Sequence, residues 1–116
     1  MEEKAKELGR LIGQSSEYQT LKRSSEALNE DREAVKLLQE MERLRGEAQQ
    51  LIQRGENPTP EMEKQLDDML EKIQVQPAYQ RAVSSQENFD KIMMRVNQWI
   101  MDGMKKGAAS PIITLS

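Results

Sequence analysis

The side chains able to do chemistry in this chain are carboxylates, and few of them are grouped. Asp67, Asp68 and Glu71 fall within about one turn of a helical pattern. Neighbouring acids at that spacing suit a hard cation such as calcium or magnesium. Lys64 and Lys72 flank them, however, and such interleaving reads as a solvated face. The 116 residues include no Cys and no His. That excludes disulfides, thiolate metal sites, thiolate-held iron–sulfur clusters and Cys nucleophiles. It also excludes a Ser-His-Asp triad, an imidazole base and a Glu-x-x-His di-iron site. An enzyme built from what remains needs a buried Glu or Lys with a shifted pKa, and no position marks one. The expectation is a non-enzymatic protein with no catalytic, cofactor-binding or metal-ligating residues and no cofactor.

The candidates for a nucleic-acid surface are Arg43, Arg45 and Arg54, with Lys22 and Arg23. Binding RNA takes phosphate contacts and aromatic stacking. Here 17 Lys and Arg face 20 Asp and Glu, the net charge is -3, and aromatics make up 3%. Direct nucleic-acid contact is therefore not expected. No run approaches the ~18 apolar residues of a membrane span. The opening Met1-Glu2-Glu3-Lys4 lacks the apolar core of a signal peptide. Those two readings make a cytoplasmic protein the expectation.

The elements that position these residues are helical. Ala, Glu, Lys, Leu and Arg dominate the composition, as in long helices. A first segment from Glu2 to about Ile12 carries Ala5, Leu8 and Ile12 on one face. Gly13, Ser15 and Ser16 stop it and cap a second, from about Glu17 to Leu28. Asp31 is placed to cap a third, running to about Arg54. In that third segment Ala34, Leu37, Met41, Leu44, Ala48 and Leu51 recur at alternating steps of three and four, a heptad stripe. Gly55 to Pro60 is the clear turn, with Gly55 placed to end one helix, Thr59 to cap the next and Pro60 to open it. Met62, Leu66, Met69 and Ile73 then define a fourth segment. Pro77 interrupts it, since the residue before a proline is biased away from the helical region.

The fifth segment runs from Pro77 to Met104. Tyr79, Ala82, Gln86, Phe89, Met93, Val96, Ile100 and Gly103 keep the same alternation. Gln86 is the polar exception on that stripe, and such a residue fixes register or oligomeric state at a cost in stability. Trp99 flanks the stripe, as a hot-spot contact to another chain or as core packing. Met62, Met69, Met93, Met94, Met101 and Met104 fill the core or form an adaptable groove for a partner. Gly103 to Gly107 matches G-x-x-x-G by letter but encloses two lysines, and reads as a helix stop. Residues 105–116 are expected to be a disordered C-terminal tail, with Pro111 to Leu115 as a docking peptide at most.

Together these segments predict an all-α fold: an antiparallel helical bundle of about five helices, two of them long, in a single domain over residues 1–104. Its stripes are wider than one coiled-coil seam, so a homo-oligomer, dimer or tetramer, is expected. The residues expected to meet another chain are Gln86, Phe89, Met93, Val96, Trp99 and Ile100 on the fifth segment, with Leu44 and Leu51 on the third.

In this order, from about Glu2 to Met104, the segments resemble the YlbF/YmcA family of small bacterial helical proteins, which includes YheA-like members. Four stretches carry the resemblance: Ser16 to Lys22, Asp31 to Glu40, the Gly55 to Glu61 turn, and Tyr79 to Phe89. The resemblance implies an all-α bundle that forms homo- or hetero-oligomers and acts as a non-enzymatic regulator. It implies protein partners in an RNA-processing complex that influences the endoribonuclease RNase Y, and through it competence, sporulation and biofilm formation. Some members carry cysteines for iron–sulfur clusters. That feature does not transfer to a chain without Cys, which puts a redox-sensing role and membership of that particular complex in doubt. The competing reading is a structural or chaperone-like oligomerisation module with no signalling role.

Overall fold

The computed structural model describes residues 1–109. Within them the chain forms five α-helices: α1 (Glu2–Gln14), α2 (Ser16–Glu30), α3 (Arg32–Gln53), α4 (Pro60–Gln74) and α5 (Pro77–Ala108). The breaks fall where local chemistry demands them. At the α1/α2 corner, Ser15 is extended and its hydroxyl donates to the Ile12 carbonyl at 2.6 Å. The same oxygen accepts the Tyr18 amide, which caps α2. Asp31 does the same for α3, its carboxylate accepting the Ala34 amide at 3.1 Å. Replacing Asp31 by Ala should cost about 1 kcal/mol, read as a shifted urea midpoint with unchanged slope.

The α3/α4 turn is a Schellman motif. The Glu56 amide donates to the Leu51 carbonyl at 2.8 Å and the Gly55 amide to Ile52 at 3.0 Å. Gly55 takes φ 81°, a value that a Cβ would strain. Thr59 then caps α4 through the Met62 amide, and Pro60 opens it. Two glutamines finish the other corners alike. Gln19 Nε2 donates to the Gly13 carbonyl at 2.7 Å, and Gln80 Nε2 to the Gln74 carbonyl at 2.8 Å. Each satisfies a carbonyl left open where the preceding helix ends.

Helix α3 pairs with α4, and α2 lies antiparallel along α5. Ser16 stands at the level of Arg95, and Ala27 at the level of Pro77. The two pairs meet at one junction. Ala34, Met41 and Ile73 are buried there, packed against Leu28, Leu37, Leu38, Met69 and Tyr79. Helices α2 to α5 all contribute to it. The chain is drawn out around this point. Its extents are 67 × 37 × 20 Å and its radius of gyration is 21.5 Å, against about 13 Å for a compact chain of this length.

One boundary needs correction. Helix α5 continues through Lys105 to Ala108, so the Gly103–Gly107 stretch does not stop it. A glycine in a helix interior costs only about 1 kcal/mol. Met104, Lys105 and Lys106 between the two glycines are good helix formers, and the lysines sit favourably at the negative end of the helix dipole. The Pro111 to Leu115 segment lies outside the described residues.

Candidate interaction surface

The carboxylates do not assemble a site. Asp67, Asp68 and Glu71 are all exposed on α4. Among the described residues no group of three or more acidic side chains is placed to hold a metal ion. No buried side-chain polar atom lacks a hydrogen-bond partner there, so no polar group is held waiting for a ligand. Arg43 and Arg45 do not form a basic patch. They pair with Glu47 at 2.9 Å and Glu42 at 3.4 Å on their own helix, in water. Among the described residues no helix is long and apolar enough to cross a membrane.

What the fold presents instead is surface. The more buried side of α5 carries Phe89, Met93 and Val96. The Phe89 ring meets Tyr18 with centroids 5.5 Å apart, Met93 is half-buried and Val96 is buried. Leu44 of α3 is buried, and Leu51 is half-buried. Trp99 and Ile100 are exposed. Gln86 is exposed too, its amide donating to Asp90 Oδ1 at 2.9 Å. At that level the side chain turned inward is Ser85, whose hydroxyl donates to the Arg81 carbonyl at 2.7 Å. At about 100° per residue Ser85 lies about 20° from the buried Val96 around the helix and Gln86 about 80° from it, so Ser85 and not Gln86 joins the buried side.

An open groove follows from the small residues on this pair. Ser16, Thr20, Ser24 and Ala27 on α2 face Ser84, Ser85 and Asn88 on α5 across spaces of about 370 and 680 Å³. Its rim carries Arg23, Arg81, Lys91 and Arg95 against the single carboxylate of Glu17. A chain of net charge -3 thus has a locally positive groove. Only Arg23 among these cations stood out in the sequence, because the others are brought together by pairing of helices far apart in the chain.

Beyond Val96 nothing among the described residues covers α5. Every residue from Asn97 to Ala109 is exposed. Met94, Met101 and Met104 are 63%, 57% and 68% exposed, and Leu11 of α1 is exposed as well. The accessible surface of the chain is 9449 Å², against about 6,500 Å² for a compact protein of this mass. Residues 110–116 account for at most roughly 1,000 Å² of that difference even if fully extended.

This architecture and the sequence have known counterparts. The family model described as "Control of competence regulator ComK, YlbF/YmcA" matches residues 1–105. The chain belongs to the YlbF/YmcA family. A UPF0342 protein of Streptococcus mutans is 35% identical over 83 residues, covering 72% of this chain and 74% of that relative. A UPF0342 protein of Streptococcus gordonii is 37% identical over 70 residues, covering 60% and 62%. One from Desulfitobacterium hafniense is 27% identical over 95 residues, covering 82% and 72%. The fold matches that of a chain in the crystal structure of Bacillus subtilis RicA in complex with RicF, with a TM-score of 0.79 over 92% of this chain and 95% of the other at 15% identity. The YlbF/YmcA match accounts for the all-α architecture and for a regulatory family description, and neither it nor the RicA likeness names an enzyme.

Proposed function

We propose that this YlbF/YmcA-family chain is a non-enzymatic cytoplasmic regulator that works by docking helices against other protein chains. The observation that carries the reading is the unburied end of α5, where a continuous helix presents large apolar side chains to solvent. Contiguous exposed apolar surface of this kind marks sites of protein association. The chain assembles as a homo-oligomer, dimer or tetramer, and pairs with other helical proteins. The solved structure that shares its fold is a complex of two proteins, Bacillus subtilis RicA and RicF. The groove between α2 and α5 supports a protein partner over RNA, because its lining contains no aromatic side chain on which bases stack.

The downstream process is RNase Y-dependent mRNA processing, as the family resemblance implies. Deleting the gene and mapping transcript ends checks this. Loss of a subset of RNase Y-type cleavages, restored by the wild-type chain, is the expected result. An unchanged cleavage map would leave the structural or chaperone-like module as the better reading.

A further inference from the structure

Helix α5 carries two stripes. The first runs through Phe89, Met93 and Val96 and is at least half-buried within the chain, with Phe89 against Tyr18 of α2. The second lies roughly a quarter-turn away. It runs Glu87, Asp90, Met94, Asn97, Met101 and Met104, at steps of 3, 4, 3, 4 and 3, and every one of these residues is exposed. It begins acidic, is mostly methionine through its middle, and ends beside Lys105 and Lys106. That is a coiled-coil seam with no partner among the described residues.

We infer that this second stripe of α5 is an interface for another copy of the same chain, packed antiparallel about a two-fold axis near Asn97 and Gln98. The inference rests on the self-assembly reading above and names its surface and geometry. Charge chooses the direction. In antiparallel register about that point, Asp90 stands at the level of Lys105 of the partner subunit, which flanks the stripe, and Met94 at the level of the partner subunit's Met101. In parallel register Asp90 would face its own copy, and so would Lys105. Like charges directly opposed destabilise a helix pair. Asn97 falls near the axis, where one polar side chain in an apolar seam specifies register.

Area and helix length agree. A specific interface removes about 800 Å² per partner, and the chain exposes well over that amount in excess of a compact fold. The final turns of α5, from Asn97 to Ala108, are helical with every residue exposed. They extend a helix nucleated upstream, and most helical stability in proteins comes from packing an amphipathic face, which a partner helix supplies here.

The full chain tests this by light scattering across a concentration series. The expected wild type is a dimer. Lys105→Glu should raise its Kd on the order of tenfold, since two exposed pairs are lost per dimer. Adding Asp90→Lys to Lys105→Glu should restore it. Because the chain has no Cys, engineered thiols report geometry directly. Met94→Cys with Met101→Cys should cross-link subunits under mild oxidation, whereas Lys105→Cys alone should not. A dimer indifferent to Lys105→Glu and to Met101→Asp would overturn the interface and leave self-assembly standing. Ready cross-linking by Lys105→Cys alone would overturn the antiparallel direction. A wild type that stays monomeric at every concentration would overturn both this interface and the homo-oligomer reading.

Discussion

Ile73→Ala is expected to cost about 2–5 kcal/mol, the range for deleting a buried Ile side chain. The position justifies the upper half of that range. Ile73 has 0% exposure and is the largest fully buried side chain among the described residues. It sits where α4 meets α3, beside Ala34 and Met41, with Leu28 of α2 and Tyr79 of α5 packed around them. Elsewhere the helices meet in pairs, so a cavity here loosens the contact that joins one pair to the other. Few buried side chains surround it, so the loss falls on a small total. Urea unfolding followed by helical circular dichroism checks the value. Ile52→Ala is the matched control. Ile52 is 60% exposed near the far end of α3, and its truncation should stay within about 0.5 kcal/mol. Equal effects at the two sites would mean that the junction is not where the chain is held together.

Much of this was legible in the residues themselves. Local chemistry set the helix boundaries: Ser15, Asp31 and Thr59 cap as their types suggest, and Gly55 takes the conformation that ends α3. Periodicity put Met41, Leu44 and Val96 on apolar stripes, and all three are buried within the chain, although Leu44 and Val96 were expected to meet another chain. The α5 terminus was not legible, because glycine lowers helix propensity without forbidding it and the neighbouring residues outweigh it. Nor was the exchange of Ser85 for Gln86, which depends on how a straight helix lies against α2. The positive groove was hidden for a different reason. Arg23 and Arg81 lie far apart in sequence, and only the antiparallel α2/α5 pairing sets them on one rim. The second stripe of α5 does not read as an apolar repeat, because its ends are charged, although its Met residues stand out as a group.

The thermal midpoint of the wild type is expected to rise with protein concentration. A chain that buries only Ala34, Met41, Leu44, Ile73 and Val96 among its described apolar side chains has little core to offset the entropy of ordering five helices. In the self-assembly proposed above, further stability comes from surface removed from water on association. For a dimer that unfolds to separate chains, each tenfold increase in concentration adds about 1.4 kcal/mol to apparent stability. Over about a hundredfold range that shifts the midpoint by many degrees for a domain of this size. Circular dichroism melts at several concentrations measure it. Met101→Asp should lower the midpoint and flatten the dependence, because it places a charge on a seam that association desolvates. Since Met101 is exposed in the single chain, a monomer stable by itself would show neither effect. A midpoint independent of concentration in both proteins would mean that the helices are held by contacts within one chain.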